Sequence, residues 1–413
     1  MPEKIVISFD DEKPGKPEDK IIIDLKYTPK KKPDVKIQNS IVDSNYKGNP
    51  YLTGFESSNL KYPEGLENGF RKIFSIKLND TFLNSILLNN KFTILTSTAG
   101  KIFFIDRFKG NIHSQISLVN EPFEKTGVVI DNNIYVNSVK SVYGFKDISD
   151  GIKEKKLYES KDDFFIWSNL NKVNKNIVFL EYSPLRKTSY LVNLPISAED
   201  VDPTGITRYN EFSISHFLYD SVIVYNDFVF AFYDDKILKH NFANSSAKEY
   251  NLKFNINADT NFLMLDGKIY FNNQNNELFY FDIANEEIRF TGIKCPYINS
   301  LAGFNDNIFI GTLNGWYLYK TTGVSLFSYE DINGNKIETL NTNILAVSNE
   351  NKIIFHNLNK FQEAEGFTLT QGSMDSDSNK IISAKIGEDM IFVLSKSGIL
   401  EAFNNDKLNL LLD

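Results

Sequence analysis

The sequence predicts an all-β protein, an eight-bladed β-propeller whose blades are four-stranded antiparallel sheets. Two observations carry this prediction. A pair of short apolar strands recurs along the 413-residue chain with a mean spacing of about 43 residues, and a repeat of about 40–45 residues is a signature of propeller blades. The chain also contains 34 Phe and 20 Tyr against only 4 Met, and aromatic residues favour strands.

Each repeat unit consists of a short apolar strand, a turn containing Asn, Asp, Gly or Lys, and a second strand. In the first unit the strands are residues 92–95 and 101–106. The apolar residues run consecutively, without the i, i+3, i+4, i+7 spacing of a helix. The units are therefore predicted to be strands covered on both faces by neighbouring blades. The eight units begin at Phe92, Ile134, Ile177, Phe228, Ile269, Ile308, Ile344 and Met390.

The strand that closes the ring is predicted before the first unit. Residues 71–78 alternate between charged and apolar side chains, as in an outer strand. We expect this segment to pair with the last blade or to open the first one, since ring closure protects the edges of the sheets. The seventh unit is irregular, so seven blades is the alternative.

The first 48 residues differ in composition from the remainder. They are rich in Lys, acidic residues and Pro, with Lys30-Lys31-Lys32-Pro33 as the densest basic patch, and such a composition keeps a chain extended. Residues 1–48 are predicted to be a spacer between a membrane tether and a propeller formed by residues 49–413. A disordered tail or a strap on the propeller are the alternatives. The spacer hypothesis favours a periplasmic or envelope location with a signal removed. The start of the chain does not resemble a secretory signal, so the cytoplasm is the alternative.

The net charge and the hydropathy of the chain argue against two classes of protein, nucleic-acid-binding proteins and proteins with a transmembrane helix. Lys and Arg total 45 and Asp and Glu 53, which gives a formal charge of −8. This balance argues against a nucleic-acid partner held by phosphate contacts. No apolar run reaches the length of a transmembrane helix.

Residues capable of catalysis or metal binding show no recognised spacing. The single Cys295 lacks a neighbouring base, and the four His residues form no H-x-H or H-E-x-x-H motif. Residues 331–335 and 375–379 have the alternating oxygen ligands of a calcium loop, but a lysine follows each where the loop needs glycine. The adjacent acid pairs at 162–163, 234–235 and 286–287 fall in expected turns, and neighbouring side chains point apart. We therefore predict no catalytic residue, no metal and no cofactor.

The longest gap between units contains the predicted partner-binding loop. Residues 194–205 combine two prolines, an acidic centre and two apolar side chains. Loops on a rigid scaffold commonly bind other molecules, although a tolerated insertion would look the same. The predicted contact residues are Ile196, Glu199, Asp200, Val201 and Asp202.

The repeats resemble those of quinoprotein-like (PQQ-repeat) propellers. Residues 101–110 form an aromatic strand that ends in Asp and is followed by Lys-Gly, and Glu277 to Asp282 repeats the aromatic-Asp ending. The resemblance covers roughly residues 74–413. The chain lacks the adjacent cysteine pair of many alcohol-oxidising members and has only 2 Trp. It is more similar to the family of the outer-membrane barrel-assembly scaffold lipoprotein, although no lipidation cysteine is present.

That resemblance implies an eight-bladed, non-catalytic scaffold behind a flexible N-terminus. We therefore expect a non-enzymatic protein–protein interaction scaffold of a bacterial cell-envelope assembly, with other envelope proteins as its partners. The loops at one mouth of the ring and a free strand edge would bind them. The alternative is a hydrolase, lyase or quinone-dependent oxidoreductase with its site in the central funnel.

Overall fold

The computed structural model describes residues 60, 70–148, 151–196, 205–216, 218–258, 260–330, 336–341, 343–350, 352–358, 362–368, 380–387 and 390–405. All of them belong to one compact unit, Asn39–Asp413, and the other unit, Met1–Gln38, lies outside the described residues. The described residues contain no α-helix, and accordingly none that could cross a membrane.

The strands form eight separate antiparallel sheets, which we number as blades 1 to 8 in chain order. Blade 1 contains β2 (Leu87–Leu88), β3 (Phe92–Thr96), β4 (Lys101–Asp106) and β5 (Ile112–Ser117). Blade 2 contains β6 (Val128–Ile130), β7 (Asn133–Asn137), β8 (Ser141–Ile148) and β9 (Gly151–Glu159). Blade 3 contains β10 (Phe165–Ile166), β11 (Asn171–Val173), β12 (Asn176–Ser183), β13 (Thr188–Pro195) and β14 (Thr207–Ser213). Blade 4 contains β15 (Leu218–Tyr225), β16 (Phe228–Tyr233), β17 (Lys236–Asn241) and β18 (Ser246–Asn251).

The second half of the ring repeats this arrangement. Blade 5 contains β19 (Leu263–Leu265), β20 (Lys268–Asn272), β21 (Glu277–Asp282) and β22 (Glu287–Lys294). Blade 6 contains β23 (Ile298–Phe304), β24 (Asn307–Thr312), β25 (Gly315–Lys320) and β26 (Ser325–Glu330). Blade 7 contains β27 (Lys336–Leu340), β28 (Ile344–Asn349), β29 (Lys352–Asn357) and β30 (Gln362–Thr368). Blade 8 contains β31 (Ile381–Ile386), β32 (Ile391–Ser395), β33 (Ile399–Asn405) and β1 (Phe70–Lys77).

These sheets confirm the predicted eight-bladed propeller. The predicted pair of strands in each unit forms the two middle strands of a blade, and the irregular seventh unit forms blade 7 by itself. The seven-bladed alternative is therefore wrong. Blade 3 is the one departure from four strands, because its first strand is divided into β10 and β11, which both pair with β12.

The ring closes through the segment that precedes the first unit. Strand β1 pairs antiparallel with β33, from Phe70 opposite Asn405 to Lys77 opposite Ile399. The first described strand thus becomes the outer strand of the last blade, which is one of the two predicted alternatives. Covering the outer edge of blade 8 in this way joins the two ends of the repeat array.

The hydrophobic core consists of eight clusters, one at each interface between consecutive blades. Phe230, for example, is fully buried in the cluster between blades 4 and 5, where it contacts Phe281 with ring centroids 6.0 Å apart. The cluster between blades 8 and 1 completes the circle. Both faces of a middle strand are consequently covered, which explains why its apolar residues run without alternation.

Candidate functional site

The first strands of the blades surround a central channel, since each contacts the first strand of the next blade around most of the ring. A cavity of about 250 Å³ lies at one mouth and is lined by residues from all eight blades. The first strand of each blade begins at this mouth. The loops that connect one blade to the next, and the turns between the second and third strands of each blade, therefore lie on the same face of the ring. We call it the entry face.

The channel wall is built from hydrogen bonds that pass from one blade to the next. The backbone N–H of Ser85 donates to Thr126 Oγ1 at 3.0 Å, and the N–H of Thr126 donates to Asn169 Oδ1 at 2.7 Å. On the opposite side of the ring, the N–H of Ile337 donates to Ser300 Oγ at 2.8 Å. The polar side chains of the channel therefore satisfy backbone donors of the neighbouring blade.

Six charged side chains line the channel, three of each sign. The ammonium of Lys125 in blade 2 lies 2.9 Å from a carboxylate oxygen of Asp220 in blade 4. Lys336 pairs with Glu338 at 3.0 Å, and Glu338 also accepts a hydrogen bond from Ser348. The described charges of the lining therefore sum to zero, and four of the six are held in ion pairs. The charged lining residues are Glu124, Lys125, Asp220, Lys336, Glu338 and Lys385.

A second cavity opens beside the channel on the entry face, between blades 2 and 3. Its volume is about 220 Å³, and it shares Glu124 and Lys125 with the channel. The half-buried residues Phe165 and Trp167 border it, although the Trp167 ring packs against the cluster between blades 3 and 4. The indole N–H of Trp167 donates to the carbonyl of Leu218 at 2.9 Å, which fixes the orientation of the ring.

The perimeter of the ring carries the outermost strand of each blade. In seven of the eight outermost pairings the register shifts, as it does between Phe104 and Ile105 in blade 1. Such bulges discourage a further strand from adding to the edge. The pairing of β17 with β18 has no shift, from Lys236 opposite Asn251 to Asn241 opposite Ser246. Among the described outermost strands, β18 therefore has the most regular pairing, and all but one of its side chains are exposed.

The predicted partner-binding residues are only partly described. Ile196 is half-buried and packs against the cluster between blades 2 and 3, and its N–H donates to the carbonyl of Lys175 at 3.0 Å. The other four, Glu199, Asp200, Val201 and Asp202, lie outside the described residues. The loop thus stays a prediction.

The histidines belong to different parts of the ring. His113 lies on β5, His240 on β17 and His356 on β29, whereas His216 precedes blade 4. Burial lowers the pKa of His240, whose Nδ1 lies 2.6 Å from the amide nitrogen of Asn210. Within the described ranges, no group of three or more potential ligands could hold a metal ion. The two calcium-loop near misses, residues 331–335 and 375–379, lie outside those ranges.

The adjacent acid pairs lie in turns, except that Glu287 begins strand β22, and two of the three pairs bind nearby basic groups. Asp163 pairs with Arg186 at 2.9 Å. Hydrogen bonds from Lys239 and Lys248 lower the pKa of Glu286 to about 2, while its neighbour Glu287 pairs with a different residue, Arg289. The remaining candidate, Cys295, is buried, and burial raises the pKa of its thiol. These groups stabilise turns and interfaces between blades.

Sequence reasoning missed the polar residues of the entry face. A detectable signal does exist, because a residue at or next to the channel lies twelve positions before the polar residue that ends the second strand of the blade. Asn84 donates to Thr96 Oγ1 at 2.6 Å in blade 1, and Thr260 donates to Asn272 Oδ1 in blade 5. The same spacing recurs elsewhere in the ring, as Ser300 with Thr312 and Ser383 with Ser395.

Solved structures share this fold. The chain is similar to BamB from Moraxella catarrhalis (TM-score 0.56, 11% identity), with 81% of this chain and 99% of that chain covered. It is similar to the computationally designed Ika8 protein (TM-score 0.60, 10% identity), with 81% and 99% covered. It is also similar to Sqt1 from Saccharomyces cerevisiae (TM-score 0.58, 10% identity), with 81% and 98% covered. No protein-family model matches the sequence, and no curated protein matches it.

Proposed function

We propose that this protein is a non-enzymatic scaffold that binds other proteins, and that one partner adds an extended segment to strand β18. One observation carries the proposal: β18 pairs with β17 in a regular register, whereas the pairings of the other seven outermost strands are interrupted by bulges. A partner strand gains main-chain hydrogen bonds along such an edge, and its alternate side chains set the specificity.

The chemistry of the edge suits a segment of mixed charge. Lys248 on β18 pairs with Glu286 of blade 5, and Lys236 pairs with Glu249 at 3.5 Å. These ion pairs are at least partly exposed and stabilise the protein little. A partner segment can therefore exchange them for its own charges at low cost.

The second contact in this proposal is the predicted loop of residues 195–204. A variant that lacks these residues and retains a normal melting temperature should fail to capture a partner that the full chain captures. If capture is unaffected, the loop has no part in binding.

Photo-crosslinking tests the strand-addition proposal. A photoreactive amino acid replaces Ala247 on β18 or, as the matched control, Gln115 on β5, and both positions are exposed on outer strands. In cells that naturally make the protein, Ala247 should give a discrete protein adduct that mass spectrometry identifies, and Gln115 should not. Equal adducts at both positions, or none at Ala247, would refute the proposal.

We also propose that the scaffold belongs to a bacterial cell-envelope assembly. The resemblance of the repeats to the barrel-assembly lipoprotein family and the spacer-like composition of residues 1–48 support this location. Cell fractionation of the natural host tests it, because recovery of the protein with the cytoplasmic markers would contradict an envelope role.

A further inference from the structure

A row of phenylalanine rings leads from the core to the perimeter of the propeller between blades 4 and 5. It starts at Phe271, which is fully buried, and its ring centroid lies 6.3 Å from that of Phe254. The centroids of Phe254 and Phe279 are 4.1 Å apart, and those of Phe279 and Phe290 are 5.3 Å apart. Phe254 and Phe279 are half-buried, whereas Phe290 is 50% exposed. We call these four residues the aromatic row.

Strand alternation shows that Phe290, the exposed end of the row, faces blade 4. Ile288 and Phe290 stand two positions apart on β22 with no register shift between them, so their side chains share one face of the strand. Ile288 packs against the cluster between blades 4 and 5. Phe290 therefore borders the groove between β22 and β18, the outermost strands of these two blades.

Strand β18 forms the other side of this groove. Its half-buried Tyr250 packs against the same cluster between blades 4 and 5. Lys248, two positions earlier, reaches across the groove to Glu286 of blade 5 at 2.5 Å. Both side chains thus point toward blade 5, whereas Glu249 between them points the other way. A segment that adds to β18 places every second side chain over the groove that Phe290 borders.

We propose that the segment added to β18 is an amphipathic strand of a partner protein, whose apolar side chains occupy alternate positions and pack against Phe290 and Tyr250. This inference rests on the proposed strand addition and specifies the sequence of the partner. Such side chains remove the exposed apolar surface of Phe290 from water, and apolar cross-strand pairs stabilise a sheet. The other face of the added strand meets Ala247 and Glu249, so polar and basic side chains fit there.

The charges of β18 argue against a second copy of this chain as the partner. In an antiparallel pair of identical strands, a two-fold axis places residues of the same face opposite each other. The two longest registers of β18 with itself therefore set Lys248 against Lys248, or Glu249 against Glu249. Like charges directly opposite each other are destabilising. The edge is thus better suited to a different protein.

Two fluorescein-labelled nonapeptides of identical composition test the proposal, with binding to the full-length protein measured by fluorescence anisotropy. The alternating probe has the sequence Thr-Phe-Lys-Val-Thr-Phe-Lys-Val-Thr, which puts all of its apolar side chains on one face of a strand. The grouped probe places the same apolar residues consecutively. The alternating probe should bind at least about tenfold more tightly, because only this probe presents an apolar face while its backbone pairs with β18.

Matched variants of two exposed side chains test the role of the aromatic row. Phe290→Ser should weaken binding of the alternating probe at least about fivefold, which is the effect of losing an aromatic contact. Ile112→Ser is the control, because Ile112 is 49% exposed on the outermost strand of blade 1. It should leave binding unchanged. Melting temperatures should change little in both variants, since each substitution removes a side chain that is about half exposed.

Ala247→Pro tests strand addition separately from the aromatic row. The N–H of Leu252 donates to the carbonyl of Asp235 at 2.6 Å, and hydrogen-bonded and non-hydrogen-bonded pairs alternate along an antiparallel ladder. Counting along the register puts Ala247 in a non-hydrogen-bonded pair with His240, so its N–H points away from β17. Proline at this position should abolish binding of the alternating probe and preserve the fold, because it removes only an outward donor.

The outcomes distinguish this inference from the proposed strand addition. If Ala247→Pro abolishes binding but Phe290→Ser binds normally, strand addition stands and the role of the aromatic row is refuted. Equal binding of the two probes, or unchanged binding by Ala247→Pro, would also overturn the inference, whereas crosslinking at Ala247 decides strand addition by itself. If sedimentation shows a dimer that Ala247→Pro abolishes, a second copy occupies β18 and the assigned partner is wrong.

Discussion

A buried ion pair within blade 3, whose carboxylate also accepts a hydrogen bond from blade 2, provides the sharpest test of how the ring is stabilised. Glu181 on β12 is fully buried, and its Oε2 lies 2.8 Å from Arg208 Nη2 on β14. Its other oxygen accepts the hydroxyl of Tyr158 on β9 at 2.6 Å. The burial and the adjacent Glu181 carboxylate raise the pKa of Tyr158, so that its hydroxyl stays a donor. The carboxylate therefore joins two blades.

Arg208→Met should lower the free energy of unfolding by about 3 kcal/mol, because it keeps the apolar stem but leaves a buried charge uncompensated. The low end of the 3–5 kcal/mol range applies because the Arg208 side chain is 31% exposed. Adding Glu181→Gln should recover at least about 2 kcal/mol, since the neutral amide still accepts from Tyr158. Urea denaturation of the single and double variants measures both changes.

A surface pair serves as the control for this measurement. Arg289 and Glu287 are 55% and 54% exposed, so Arg289→Met should cost less than about 1 kcal/mol. If Arg208→Met is no more harmful than Arg289→Met, or if the double variant is worse than the single one, the buried ion pair does not stabilise the fold as argued.

Three further perturbations have defined outcomes. Phe230→Ala should lower the free energy of unfolding by about 3–5 kcal/mol in urea denaturation, because the ring is fully buried. Phe290→Ala, at a side chain that is 50% exposed, should lower it far less. Similar losses for the two variants would contradict the assigned core. Acidification from pH 7.5 to 5.5 should destabilise the protein, because burial holds the folded-state pKa of His240 below its unfolded value near 6.5. The His240 contribution is full above that value and is lost as the pH falls, so His240→Gln should show a flatter profile of stability against pH. Gly110→Ala should destabilise the interface between blades 8 and 1 and speed proteolysis there. Gly110 has a φ of 71°, and an added Cβ would lie 2.6 Å from the ring of Phe74. Unchanged proteolysis would mean that the interface tolerates the methyl group.

Most of the architecture follows from local patterns. The strands of unit 4, such as Phe228 to Tyr233, are recognisable because a strand covered on both sides needs consecutive apolar residues. The eight units predict eight blades because each sheet must cover its faces with neighbours. Even the closing role of residues 71–78 follows from their alternation, although the sequence left open which blade they join.

The entry face was harder to predict, because its polar residues have different tasks at equivalent positions. Lys125 and Thr260 occupy the same place in blades 2 and 5, yet one reaches across the channel to Asp220 and the other binds its own blade. Neither the composition nor the spacing of motifs predicts which of these two contacts a side chain makes. It depends on which side chains from distant blades meet at the channel.

The periodic distribution of apolar residues by itself determined the all-β core and favoured eight blades over seven, since burying both faces of repeated sheets has few solutions. Only the tertiary structure decided that β1 completes blade 8 and that β18 is the regular outer strand. These features arise from contacts between residues far apart in the chain, where small differences in side-chain length decide which hydrogen bonds form and which spaces stay open.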